Sequence, residues 1–322
     1  MKTRNIIINT LLSLALGLFL LYIVFNNIDL NLFLDRLDNL DYSWIYLSMF
    51  ISIFEHIVRG YRWNLLMQTK KTNLSTYITT HILIVSYFFA LFIPRFNDFV
   101  RCYLISKTNK VKISSSLGTV VSERIFDLIS LLIISLLFFV IEFDLFVNFF
   151  STYILTNISF DLYYLLLVFI VITIIISFLF YLNKNSNLFS SKFSEFKSGV
   201  FSITKIYKNK KFLFSTLILW IIYFLMGYVI FFSLDETSSL GINSGIAVLV
   251  AGSLGMIVPV NAGIGAYHFL VASILLSYNL NYETGLFFAT ILHTSQIICL
   301  AVLGIISSLI LFFKIRSNNE YS

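Results

Sequence analysis

The chain has 322 residues, 58% of them hydrophobic and only 12% charged, where a soluble domain carries about a quarter. Its mean hydropathy of +0.90 and its long apolar runs exclude a large soluble core and indicate a polytopic membrane protein. The net charge of +6 comes from loop lysines, which favour anionic lipid head groups over nucleic acid, for which no motif is visible.

In chain order, segment 6–25 is apolar and lacks a small-residue cleavage site, so it reads as a retained span. Leu30, Phe33, Leu34, Leu37 and Leu40 then outline a short amphipathic helix among four aspartates. A second span is predicted at 42–60. Glu55, Arg59 and Arg62 follow one another at spacings of four and three, which places them on one helical face. Segment 76–106 contains Pro94, and Arg95, Asp98 and Arg101 share a face where helix resumes after it. Glu123, Arg124 and Asp127 open a span at 123–141, and another follows at 162–182. Stretch 183–211 carries seven lysines, with Phe189, Phe193, Phe196, Val200, Ile203 and Tyr207 at helical intervals. It reads equally as an amphipathic helix on the inner leaflet or as a helix packed on its own protein. Spans at 212–233 and 285–313 bracket segment 244–278, where Pro259, Gly263 and Gly265 interrupt the apolar run.

Loop charges orient these segments. The basic residues gather at the N-terminus, at 59–75, 107–112 and 183–211, and in the tail, whereas 26–41, 142–161 and 234–243 are mainly acidic. All basic loops share the cytoplasmic side only when 76–106 and 244–278 each return to the side from which they entered. Parity alone leaves two full crossings open for 244–278. The expected fold is therefore an all-α polytopic membrane protein with about six full transmembrane helices and two opposed re-entrant helical hairpins. Its halves are 1–182 and 212–322, joined by the cytoplasmic linker 183–211. Polar groups freed at each proline must be satisfied by protein or by a wet cavity. The two hairpin tips are therefore expected to meet near the midplane, with Arg95 and Asp98 near Asn261 and His268.

Nine charged residues cluster in or beside apolar segments of the first half: Arg59, Arg62, Arg95, Arg101 and Arg124 against Glu55, Asp98, Glu123 and Asp127. Each costs roughly 2.5–3.5 kcal/mol at a helix centre even on the gentle insertion scale. The cluster holds five of the eight arginines and none of the fourteen lysines. A guanidinium makes forked bonds to carboxylate or phosphate that an ammonium cannot. An ion-pair lock between helices and an anion site are both compatible with this pattern, and Arg59 and Arg62 could instead snorkel to the head groups. His56, His81, His268 and His293 all lie in apolar segments. Packing is the ordinary role of such histidines, and His268, just after the glycine-rich break, is the candidate polar or proton site. Cys102 and Cys299 form no disulfide framework and no metal spacing, so neither metal nor cofactor is expected.

Arg59-x-x-Arg62-Trp63, Pro94-Arg95-x-x-Asp98-x-x-Arg101, Glu123-Arg124-x-x-Asp127, and Pro259 followed by Gly263 and Gly265 together resemble the transmembrane domain of lysylphosphatidylglycerol synthases and its stand-alone, flippase-like relatives. The resemblance covers nearly the whole chain. Asn97 stands where a glycine is usual, and His268 where a glutamate is common. The resemblance implies translocation of a lipid between leaflets or export of a lipid-linked group; together with the loop charges, the expectation is a multi-pass protein of the bacterial cytoplasmic membrane with both termini cytoplasmic. The synthases also carry a soluble aminoacyl-transferase domain. This chain ends shortly after its last span, so that domain is expected to be absent and the protein to be no enzyme.

The combined expectation is translocation of an anionic lipid or lipid-linked head group. Arg59, Arg62, Arg95, Arg101 and Arg124 are the lipid-phosphate residues, and Glu55, Asp98, Glu123 and Asp127 orient them. Pro94, Pro259, Gly263 and Gly265 keep the helices broken. The partners are membrane lipids, with a separate lipid-modifying enzyme as a candidate. The rivals are a membrane-embedded transferase acting on a lipid phosphate, with Asp98 as its base, and a non-transporting scaffold.

Overall fold

The computed structural model describes residues 15–26, 30–68, 74–93, 96–109, 111–143, 209–258 and 260–320. Pro94, Arg95, Pro259, the span at 162–182 and nearly all of the lysine-rich linker lie outside them. The described chain is all-helical: α1 (Ala15–Phe25), α2 (Leu30–Asp35), α3 (Tyr42–Gln68), α4 (Thr76–Ala90), α5 (Asn97–Asn109), α6 (Ile113–Ile141), α7 (Lys210–Tyr228), α8 (Asp235–Ser238), α9 (Ile242–Ile257), α10 (Ala266–Leu276) and α11 (Tyr282–Glu320).

Among the described residues, three stretches are long and apolar enough to cross a membrane: Ile113–Ile141, Lys210–Ser233 and Tyr282–Lys314. Their exposed faces are apolar. On α6, Leu128, Leu132, Leu136 and Val140 all stand exposed among the described residues, the reverse of a soluble amphipathic helix. With its 27 residues, α3 is about 40 Å long, but it carries Glu55, Arg59 and Arg62. The helices of the two interrupted segments are shorter. At 15 and 13 residues, α4 and α5 fall below the ~30 Å of a bilayer core at 1.5 Å per residue. The same holds for α9 and α10, at 16 and 11 residues. Within each pair the two helices pack on one another.

Local chemistry accounts for the boundaries. The side chain of Asn209 accepts from the Lys211 and Phe212 amides at 3.0 and 3.3 Å and caps α7. Asp98 sits in the first turn of α5 and Lys107 in its last, each matched to the helix dipole. The start of α6 differs from the sequence expectation. It begins at Ile113, so Glu123, Arg124 and Asp127 lie mid-helix instead of opening the span. The intervening turns carry Ser116, Gly118, Thr119 and Ser122, all buried. Thr119 accepts from the Trp63 indole at 3.2 Å, and Ser122 bonds the Gly118 carbonyl at 3.2 Å, so the hydroxyls need no water.

Two apolar cores result. One joins α9, α10 and α11 with Phe33 of α2 and Phe138 of α6. The other joins Trp63, Leu66 and Met67 of α3 with Ile82 and Leu83 of α4, Ile105 of α5 and Phe212 of α7. A polar seam ties α3 to α11: Gln296 donates to Ser48 at 2.9 Å, and Ser52 meets the Cys299 thiol at 3.2 Å. Both contacts advance together along the chain, so the two helices run parallel. They begin at the end where Arg36 pairs with Glu236 and donates to Thr284 at 2.9 Å.

Candidate functional site

Glu123 is the centre of the charged cluster. Its side chain is 1% exposed, and three arginines converge on it. Arg101 Nη1 reaches Oε2 at 2.6 Å, Arg62 Nη2 reaches Oε1 at 3.2 Å, and Arg59 Nε stands 3.7 Å from Oε1. The outer contacts continue the network. One turn beyond Glu123, Asp127 Oδ1 takes Arg62 Nη1 at 2.6 Å. Asp98 Oδ1 accepts from Arg101 at 2.9 Å and from Arg124 at 3.2 Å. Glu55 accepts from Arg59 at 3.1 Å and from the Tyr223 hydroxyl at 3.2 Å, and lies 2.6 Å from His56 Nδ1. The helical spacings on α3, α5 and α6 thus bring eight of the nine predicted residues into one system; Arg95 lies outside the described residues.

Aromatic side chains back the guanidiniums. Arg59 lies 4.7 Å from the centre of the Tyr87 ring, Arg101 lies 5.3 Å from Trp63, and Arg62 lies 5.8 Å from Phe212. These distances fit cation–π contact. Arg62 and Arg101 are fully buried, which removes the snorkelling alternative for Arg62. Breaking one buried pair leaves an uncompensated charge, at a cost of about 3–5 kcal/mol.

Among the described residues, the cluster is most exposed at three of its members. Asp127 is 23% exposed, Asp98 32% and Arg124 47%. The described residues contribute four arginines and four carboxylates, a balanced set, so the surplus cation of the sequence rests on Arg95. Chemically, the interior is a set of ion pairs in which Arg62 and Arg101 each bridge two carboxylates, with the Nε atoms of Arg59, Arg62 and Arg101 buried without a hydrogen-bond partner among the described residues, while the rim at Asp98 and Arg124 can exchange partners with an incoming anion.

The glycine-rich break builds a second polar locus. Ala262, Gly263 and Gly265 have φ of 50°, 73° and 83°, values that glycine adopts without strain. A Cβ on Gly265 would lie 2.4 Å from Leu20 of α1, so no larger residue fits without a shift. His268 Nδ1 accepts from the Gly265 amide at 3.3 Å and caps α10. Its ring meets His293 at 5.0 Å and Phe25 at 6.4 Å, and Tyr267 stacks on His293 at 4.8 Å. Beside these rings runs an open cleft of about 600 Å³ between α1, α10 and α11. Arg95 and the Asn261 side chain lie outside the described residues. Of the other expected tip residues, Asp98 is held by arginines and His268 by the break and His293.

Sequence reasoning missed Tyr87, Tyr223, Phe212 and His293. Tyr223 lies more than 160 residues from Glu55 along the chain, and no local spacing announces its contact. Tyr87 and Phe212 read as ordinary apolar-segment aromatics, as did His293.

The sequence profile of the lysylphosphatidylglycerol synthase transmembrane region matches residues 10–304. No curated protein and no solved structure matches the chain. The profile spans most of the chain and takes in every charged residue of the network, and the chain belongs to the family of the lysylphosphatidylglycerol synthase transmembrane region.

Proposed function

We propose that this protein translocates an anionic lipid, or a lipid-linked head group, across the cytoplasmic membrane of a bacterium. One observation carries the reading: among the described residues, a buried guanidinium–carboxylate network centred on Glu123 reaches the surface at Asp98, Arg124 and Asp127. At that rim a lipid phosphate competes with Asp98 for Arg124. Arg101 polarises Asp98 from behind, while Arg59 and Arg62 fix Glu123. The short hairpins α4–α5 and α9–α10 enter from opposite faces and return, which keeps both termini and every lysine-rich loop cytoplasmic. The transferase reading loses ground, because its candidate base Asp98 is occupied by two guanidiniums.

A scaffold is the second reading, favoured by the equal numbers of arginines and carboxylates among the described residues. Reconstituted liposomes separate the two. Fluorescent phosphatidylglycerol should equilibrate between leaflets with the wild type. Arg124→Gln should slow this by at least about tenfold, the worth of one charge-assisted hydrogen bond of roughly 1.5–3 kcal/mol. Arg124→Lys should fall between, since the charge stays and the fork is lost. Wild-type translocation by Arg124→Gln would overturn the site and leave the scaffold.

A further inference from the structure

The cleft beside the histidine pair lies far from the arginine network. The register Ser52–Cys299 puts His293 six residues toward one end of the parallel helices and Arg59 seven toward the other. At 1.5 Å per residue the two levels are about 20 Å apart. One phosphate group cannot reach both.

The cleft has a distinct chemistry. Leu18, Leu21 and Phe25 of α1 form one wall, and Ile264 and Ile297 face them. Polar groups come from Tyr22, His268, His293, Thr290 and Thr294, and among the described residues no charged side chain lines the cleft. Residues 18–25 and 290–297 each run about 10 Å along their helices, so the cleft is a groove and not a point site. An apolar groove with neutral donors and acceptors at one locus matches a hydrocarbon chain joined to an uncharged polar linkage. It does not match a phosphate, which requires cations.

We propose that this groove binds one acyl chain of a membrane lipid together with its glycerol-ester region, at a site separate from the arginines. Ile297 and the α1 residues hold the chain. The His268 Nε2–H and the Thr294 hydroxyl face the ester oxygens as donors, since Thr290 donates to the Leu286 carbonyl and His293 is bonded to the Ala262 backbone. Because the groove carries no charge, it selects for the chain and the ester and not for the head group. This inference goes beyond the translocation reading and does not depend on it, since a scaffold could hold such a lipid equally.

Photo-labelling of the full-length protein in nanodiscs tests it. The probes are phosphatidylglycerol and an uncharged diacylglycerol, each with a diazirine midway along one chain. Both should label residues 18–25 and 290–297 to a similar extent, saturably, and with competition by unlabelled diacylglycerol. Ile297→Trp fills the groove and should lower that labelling by about tenfold or more, the loss expected when two methylenes are displaced from contact. Labelling of the exposed α6 face at Leu132 and Leu136 should be non-saturable and unchanged. If Ile297→Trp fails to fold, Thr294→Phe, at an exposed position of the rim, should give the same loss. Unsaturable labelling spread evenly over α6 and the groove would overturn the proposal. Groove labelling by phosphatidylglycerol alone would also overturn it, because the phosphate would then be the determinant.

Discussion

Glu123 receives three guanidiniums within 4 Å, and neutralising it should unbalance all of them at once. Glu123→Gln is expected to lower stability by about 3–5 kcal/mol, the cost of breaking a buried pair. Thermal or chemical denaturation in detergent would register the loss. In a double-mutant cycle, pairing Glu123→Gln with Arg101→Met should recover part of it, because the orphaned charge is then removed as well. Arg124→Gln should behave differently. Arg124 is 47% exposed and, among the described residues, bonds one carboxylate of the network, so its stability cost should be within about 1 kcal/mol, while the proposed translocation should slow. The identity of these residues was legible from the sequence, because charges in apolar segments are costly and the i, i+3 and i, i+4 spacings assign faces. The hierarchy was not. Which carboxylate sits at the centre depends on how α3, α5 and α6 dock, and no single-helix spacing carries that.

Helix docking makes Gly60 a second point of sensitivity. A Cβ there would lie 2.2 Å from Thr80 Oγ1 and 2.8 Å from the Thr80 Cα, so α3 and α4 touch backbone to backbone. Thr79 seals the contact by donating to the Gly60 carbonyl at 3.0 Å. Gly60→Val should therefore force the helices apart and cost about 1–3 kcal/mol, the usual range for overpacking. The shift should also move Arg59 and Arg62 relative to Glu123, so transport should fall more than stability alone explains. Comparing the variant's translocation rate with its unfolding midpoint would check this. Gly60 lies between Arg59 and Arg62 in the sequence, and no local spacing names Thr80 as its partner. The α6 boundary failed for a related reason: Glu123, Arg124 and Asp127 look like the polar end of a span until their partners on α3 and α5 are known. By contrast, the breaks at 91–96 and after 257 were legible, because proline and glycine act on their own backbone.

At the scale of the whole molecule, the open question is which face each end of the bundle meets. The end bearing Asp38 and Ser239 is acidic, and the end bearing Lys112 and Lys211 is basic, with all four residues exposed. The positive-inside rule assigns the second end to the cytoplasm. Single cysteines read this directly, because native Cys102 and Cys299 are buried and give little background. In intact cells a membrane-impermeant maleimide should label Asp38→Cys and Ser239→Cys but not Lys112→Cys or Lys211→Cys. The last two should react only after permeabilisation. Positions 38 and 112 test the first hairpin in particular. Between them lie α3, the α4–α5 pair and no other described helix, so opposite sides require that pair to return to the face it entered. If position 112 were labelled from outside, α4 and α5 together would amount to one crossing. The arginine rim would then face the other leaflet, and a lipid phosphate would have to be taken up from the outside.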